Sequence, residues 1–332
     1  MTAERDAPMK NQEHLSPQTI FQPSAGPDLS SDVRHYFIVC YHRGGSRHLQ
    51  FSRSLQALGE TGVEATVRFC ESSEHARELA RTFDHDRYDA ILAAGGDGIV
   101  NDVVAGLLQR EGSELPPMGV LPIGTGNQFA QEVGFRGKNL ASLPRQLHAL
   151  EPHKVHIGKV ASGDIFTLIA VIGFGPQMME KVSHQLKKRL GNAAYVIAGV
   201  LALLTYKSRR YKVSVLGNDY HAYTVLVVNA CLSSGPMPLM PGTSLLEPSL
   251  HLGLVERPGR LFIGKLLWNF VRGKLHECPG FRTIECTSCT IVGDDNETKS
   301  DSLMTDGDIT GHLPATFSIH PRSISVLGFP DT

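Results

Sequence analysis

Residues 90–108, AILAAGGDGIVNDVVAGLL, decide how the chain is read. The run YDAILAA (88–94) has the continuous apolar character of a central parallel strand. Val100, Val103, Val104, Leu107 and Leu108 then recur at helical spacing. Gly95, Gly96 and Gly98 therefore sit at a strand-to-helix turn. Glycines there permit positive φ and let backbone N–H groups approach a ligand with no Cβ in the way. The helix N-terminus beyond them favours an anion. Asp97, an acid inside this electropositive turn, is explained by a bound magnesium ion, a proton to be taken or a hydroxyl to be held, or by a helix cap.

The stretch MGVLPIGTGNQFAQEVGF (118–135) again runs strand, glycine turn, helix, with Gly124, Thr125, Gly126 and Asn127 at the turn. Neither turn ends in the Gly-Lys-Ser/Thr of a Walker A loop, and neither fits the dinucleotide G-x-G-x-x-G pattern. Two adjacent glycine-lined strand ends nevertheless make a phosphate cradle. Upstream, HYFIVCY (35–41), a helix with Leu49, Ser52, Leu55 and Leu58 on one face, VEATVRF (63–69) and HARELARTF (75–83) continue the alternation. This predicts a three-layer domain with a parallel sheet covered on both faces, binding its ligand at the carboxyl ends of the strands.

After about residue 155 the pattern changes. FTLIAVIGFG (166–175), YKVSVLG (211–217), YHAYTVLVVNAC (220–231), SLHLGLVE (249–256), RTIECTSCTIVG (282–293) and ATFSIHP (315–321) predict an antiparallel β-sandwich or distorted barrel. One helical interval, 178–206, interrupts it. The organisation read from this is a disordered, proline-bearing tail over 1–33, an α/β domain over 34–158, and a β-rich domain over 159–317. The last segment, about 318–330, returns to the first domain.

With 32 Lys and Arg against 33 Asp and Glu, the net charge of -1 excludes a broad nucleic-acid surface, so any anionic partner is held locally. The six cysteines lie in apolar or strand-like segments, and no leader pattern precedes them, which suits reduced thiols in the cytoplasm. Cys286-x-x-Cys289 has no second pair at zinc-finger spacing. The longest apolar stretch, AAYVIAGVLALLTY (193–206), is too short to span a bilayer and predicts a buried helix. LFIGKLLWNFVRGKL (261–275) sets Leu266, Leu267, Trp268, Phe270 and Val271 among Lys265, Arg272 and Lys274, a composition that suits either a membrane surface or docking on the protein's own core.

GGDGIVNDVVAGL (95–107) and GVLPIGTGNQFA (119–130) resemble the GGDGT and GTGND motifs of the diacylglycerol kinase catalytic-domain family, which includes bacterial lipid kinases and sphingosine and ceramide kinases. KKRLGNAAY (187–195) is similar to the family's Lys-rich helix entry, and TDGDITGHLPATFSIHPRSISVL (305–327) to its DGE segment and closing strands. The resemblance spans roughly 34–328. It implies transfer of the ATP γ-phosphoryl group to the hydroxyl of diacylglycerol or a similar lipid alcohol, at the membrane surface, with Mg2+. It also implies that Gly95, Gly96, Asp97, Gly98 and Asn101 line the triphosphate beside Gly124, Thr125, Gly126 and Asn127. Asp97 would hold magnesium, Asp308 would act as general base, and Asp306 would support it. Lys187 and Lys188 would offset phosphate charge or form a solvated face. A homodimer is compatible with this reading.

The sequence also departs from the family. The first loop is Cys-Tyr-His-Arg-Gly-Gly (40–45) rather than Asn-Pro-x-x-Gly, Ile99 replaces a threonine, Gln128 replaces an acid, Asp102 stands where a longer acid is usual, and Asp308 replaces Glu. LLEPSL (245–250) keeps only Glu247 of a turn that binds a structural magnesium in bacterial members. The losses at Ile99 and Gln128 are expected to remove polar groups from the phosphate site. They leave open a catalytically weak relative that only binds nucleotide or lipid, while the shared GGDG turn leaves open a kinase for a soluble acceptor, as in NAD kinases.

Overall fold

A computed structural model of the chain describes residues 18–21, 34–41, 46–112, 114–135, 147, 150–179, 202–231, 239–295, 298 and 300–328. Strands β1 (Gln18–Phe21), β2 (His35–Tyr41), β3 (Glu64–Cys70), β4 (Ala90–Gly95), β5 (Met118–Pro122), β6 (Pro152–Val155) and β19 (Ile324–Leu327) form one sheet in the order β1-β3-β2-β4-β5-β19-β6. The five strands from β3 to β19 are parallel. Ile91, Leu92 and Ala93 of β4 are all fully buried although successive side chains point to opposite faces, so both faces of the sheet are covered.

Helices α1 (Ser46–Gly59), α2 (Ser73–Thr82) and α3 (Asp97–Leu108) connect the parallel strands, and α4 (Gln128–Glu132) follows β5. The buried face of α1 is Phe51, Ser54, Leu55 and Leu58. Leu49 and Ser52, expected on that face, are exposed. Ser54 is tolerated inside because its hydroxyl donates to the Gln50 carbonyl at 3.0 Å. The disordered-tail reading also needs correction at residues 18–21, where the backbone pairs antiparallel with the β3 edge. An open edge offers unpaired N–H and C=O groups, and QTIF has the β-branched and aromatic content to take them. Residues 1–17 and 22–33 lie outside the described residues.

The second domain is a sandwich of two six-stranded sheets. One runs β11 (Asn218–Ala222), β10 (Tyr211–Val215), β15 (Ser288–Gly293), β18 (Ala315–Ile319), β7 (Gly158–Val160), β8 (Ile165–Phe166). The other runs β14 (Phe281–Cys286), β13 (Leu250–Val255), β12 (Thr224–Val228), β9 (Ile169–Ile172), β16 (Ser302–Thr305), β17 (Asp308–His312). Phe166, Phe317, Tyr211, Ile291, Leu252 and Val227 fill the space between them. Of the helical interval at 178–206, α5 (Phe174–Met179) and a turn at 202–205 are described. Lys187, Lys188 and most of the apolar stretch 193–206 lie outside the described residues. A further helix, α6 (Arg260–Val271), packs Ile263 and Leu266 into a separate cluster with Met240, Val255 and Phe281.

Two crossings join the domains, at 156–157 and 320–323, and the His320 amide donates to the Ile157 carbonyl at 2.7 Å between them. Arg322 then locks the return onto the end of α3, giving Nη1 to the carbonyls of Leu108 (3.1 Å) and Arg110 (2.5 Å) and Nη2 to Gly112 (2.7 Å). Leu108 is one of the carbonyls a helix C-terminus leaves without a partner, and the other two belong to the loop that follows.

Candidate active site

The carboxyl ends of β4 and β5 lie side by side, Gly95 opposite Pro122. The backbone N–H groups of Ile123 and Gly124 both donate to the Gly95 carbonyl at 3.0 Å, drawing the two glycine turns together. A Cβ on Gly124 would collide with the Gly96 Cα and stand 2.9 Å from its nitrogen. Gly124 is thus required by the approach of Gly96, while a Cβ on Gly96 would stand 3.3 Å from the Gly124 Cα, a tight but less severe contact. Gly95 lacks a side chain for a second reason: Ile99 Cγ2 lies 2.5 Å from where its Cβ would be, and Ile99 is buried. Gly98 is different. It is exposed, and a methyl group added there would meet nothing within 4 Å, so of the first turn's glycines it is the one that opens onto free space.

Asp97 begins α3, whose N-cap residue, Gly96, has no side chain to cap it. The Asp97 Oδ1 accepts from the Phe129 N–H at 2.9 Å, capping α4 across the cleft. Its Oδ2 faces Gly126, 3.2 Å from that residue's Cβ position. Asn127, left-handed at φ 51°, turns inward: Nδ2 donates to the Gly124 carbonyl at 3.0 Å, and Oδ1 is buried with no partner among the described residues. Thr125 and Gly126 are exposed at the rim. The two predicted turns are therefore one structure, fastened by Asp97, Gly96 and Gly124.

One helical turn beyond Asp97, Asn101 Nδ2 donates to Asp306 Oδ2 at 2.9 Å, bringing in the second domain. The same oxygen accepts from the Thr167 N–H (2.7 Å) and hydroxyl (2.9 Å), and Oδ1 accepts from the N–H groups of Leu168 (2.9 Å) and Ile169 (3.0 Å). Asp306 itself sits at φ 47° in the turn from β16 to β17. Burial pushes its pKa up, and the bonds from Ile169, Thr167 and Leu168 oppose that. Five donors converge on it and only the Thr167 hydroxyl could accept a proton, so we read the carboxylate as ionised. Asn101 thus gives an amide hydrogen to Asp306, and both Asp306 oxygens are already occupied by donors. Asp308, two residues on, is exposed at the start of β17.

The sequence reading did not foresee a network beside the first turn. The Tyr41 hydroxyl donates to Asp102 Oδ2 at 2.6 Å and Arg77 Nε to Oδ1 at 3.1 Å, with Ser73 Oγ 3.1 Å from the same phenol. Burial, then the bond to Asp102, pushes the Tyr41 phenol well up. Asp102 thereby ties β2 and α2 to α3. The signal for it was an acid on the apolar stripe of α3, where a charge needs partners. In the second domain a cavity of about 410 Å³ is lined by Gln177, Lys207, Arg209, Asp301 and Ser302 among others. That lining is too polar for acyl chains. Cys286 and Cys289 are buried, and among the described residues no three His, Cys, Asp or Glu side chains group as a metal site.

Residues 36–160 match the model of the diacylglycerol kinase catalytic domain, and residues 170–328 that of the YegS C-terminal NAD kinase beta sandwich-like domain. The chain thus carries a diacylglycerol kinase catalytic domain followed by a YegS-type C-terminal domain. The lipid kinase YegS of Escherichia coli (strain K12) is 29% identical over 212 residues, 62% of this chain and 69% of its own. A diacylglycerol kinase from Bacillus anthracis str. Sterne shares the fold, with a TM-score of 0.70 at 20% identity over 90% of this chain and 97% of that one. This is a lipid kinase family, and a kinase family implies ATP as phosphoryl donor. Against the diacylglycerol kinase pattern, the departure at Ile99 falls inside the core beneath Gly95 and takes nothing from the cleft. Gln128 is half-buried at the start of α4, Glu247 is exposed in a turn, and residues 42–45 lie outside the described residues.

Proposed function

We propose that this protein transfers the γ-phosphoryl group of ATP to the hydroxyl of a lipid alcohol, diacylglycerol first among the acceptors, working in the cytoplasm at a membrane surface. The observation that carries the reading is the Asn101–Asp306 hydrogen bond, which fastens the Asp306-Gly307-Asp308 turn to α3 about 6 Å along the helix from Asp97. An acid-bearing turn and a glycine cradle from different domains thus meet at one cleft.

A triphosphate suits the joined turns because Gly98 and Gly126 are exposed and the first turn of α3 offers backbone N–H groups to an anion. Magnesium carried by the nucleotide would be met by Asp97 through Oδ2, since Oδ1 is held by Phe129. One carboxylate oxygen is a small donor set, and it suits an ion that keeps phosphate and water as its other ligands. When bound, that ion spreads phosphate charge. Asp308 takes the acceptor's hydroxyl proton as the acceptor oxygen bonds to the γ-phosphorus and the bond from that phosphorus to the bridging oxygen of ADP breaks. Its reach is about 1.5 Å shorter than that of the family's Glu, so the acceptor sits correspondingly closer to β17. Asp306 is a positioning residue.

The test is a panel of lipid alcohols in mixed micelles with γ-labelled ATP and Mg2+. Label in lipid, lost in Asp308→Ala, supports the reading. Label in NAD but in no lipid would replace it with a soluble-acceptor kinase. Thermal stabilisation by ATP with no transfer to any acceptor would replace it with a nucleotide-binding regulator.

A further inference from the structure

Helix α6 turns Ile263 and Leu266 toward the protein and seats its start on the segment 202–208. There Arg260 Nη1 donates to the Leu204 carbonyl at 2.8 Å and the Gly259 N–H to Ser208 Oγ at 2.7 Å. A helix that covers a core on one side ordinarily shows charged and polar residues on the other. Here the outward positions, spaced four, three and four residues apart, are Leu261, Lys265, Trp268 and Arg272. Leu261 is 92% exposed and Trp268 63%. Val271, Leu267 and, across the Arg260 contact, Leu204 extend the apolar surface.

Along the helix itself the charge is one-sided; beyond its end Lys274 pairs with Glu277 at 3.2 Å. From Arg257 to His276 the chain has five Lys or Arg and no Asp or Glu, in a protein whose total is -1. The basic side chains alternate with the exposed apolar ones along one helix face about 18 Å long. Two copies meeting through this face about a two-fold axis would bring two basic faces together, with Lys265 and Arg272 from each, a like-charge contact. An anionic bilayer satisfies both features, taking the apolar side chains among its acyl chains and the basic ones at its headgroups.

We infer that α6, with Leu204 beside it, is the face by which this protein docks on an anionic lipid bilayer. The inference rests on the lipid-kinase reading for its purpose, which is to bring the cleft to an acceptor that does not leave the membrane. Trp268 is the chain's single tryptophan, so it reports on this face alone.

The full-length protein is mixed, without nucleotide, with vesicles of phosphatidylglycerol and phosphatidylcholine or of phosphatidylcholine alone. The expected result is a shift of Trp268 emission to shorter wavelength and co-sedimentation with the anionic vesicles, weakened by salt. Leu261→Ser/Val271→Ser and Lys265→Glu/Arg272→Glu keep the fluorophore, alter only exposed positions, and lower vesicle affinity by about tenfold or more. Unchanged emission with anionic vesicles, variants that bind as tightly as the parent, or a blue shift that follows protein concentration without vesicles would each overturn the inference. Phosphorylation of dioctanoylglycerol in solution separates the two proposals. A protein that phosphorylates it but ignores vesicles refutes the docking face alone, and one that binds vesicles but phosphorylates no lipid refutes the activity alone.

Discussion

Asp306→Asn changes one atom in the most heavily bonded side chain of the cleft, and its cost follows from the donor count. The carboxylate accepts three donors on Oδ2 and two on Oδ1. An asparagine keeping its oxygen at the Oδ2 site turns an NH2 group toward the N–H groups of Leu168 and Ile169, leaving both without an acceptor. The opposite orientation strands Asn101 and the Thr167 N–H instead. Two orphaned donors at roughly 1–3 kcal/mol each cost about 4 kcal/mol. At roughly 2–4 °C per kcal/mol for a domain of this size, the melting temperature falls by about 8–16 °C. Asp308→Asn serves as the control: it is exposed, and its stability change stays within about 0.5 kcal/mol. Urea unfolding and calorimetry of both variants measure the difference. Asp306→Asn melting within about 1 kcal/mol of the parent, or Asp308→Asn falling as far, would refute the assignment of Asp306 to positioning.

Gly98→Ala leaves the melting temperature unchanged and weakens ATP binding measured by calorimetric titration, because the added methyl meets only free space that the nucleotide needs; Gly124→Ala lowers both, since its Cβ would collide with the Gly96 Cα. Ile99→Thr restores the family's residue without improving catalysis and destabilises by about 1–3 kcal/mol, because the hydroxyl enters a buried apolar site; a rise in kcat would contradict this. Burial lowers the pKa of His156 and His320, in the two domain crossings, below the ordinary 6.5. Folding disfavours their protonated forms, so stability is complete above about pH 6.5 and declines as the pH falls through their folded values. The urea midpoint between about pH 7 and 5 should therefore fall less steeply in His156→Gln/His320→Gln than in the parent.

The strand, turn and helix at 90–108 and its companion at 118–135 were legible because burial on both faces leaves a continuous apolar run and helical spacing follows at once. The returning strand β19 was legible through the resemblance. What each glycine does was not, because Gly95, Gly96 and Gly98 look alike in sequence and differ only in what lies opposite: Ile99, Gly124 and open space. Asp306 and Asp308 were told apart only through the resemblance, which made Asp308 the base and Asp306 its support. The left-handed turn separates them, burying one among amide donors and leaving the other exposed. The Tyr41–Asp102–Arg77 network escaped for a similar reason, since its members come from three elements and no local period links them. At α6 one face docks on the core, as one of the two sequence readings had it, and the other face remains outside.

The most direct measurement is phosphoryl transfer from γ-labelled ATP to dioleoylglycerol in mixed micelles, with parent and Asp308→Asn protein at equal ATP saturation. The account predicts labelled phosphatidate from the parent and a rate about 10²–10⁴-fold lower from the variant, with ATP binding unchanged. An Asp308→Asn enzyme as fast as the parent, or a parent that labels no lipid hydroxyl, would contradict it.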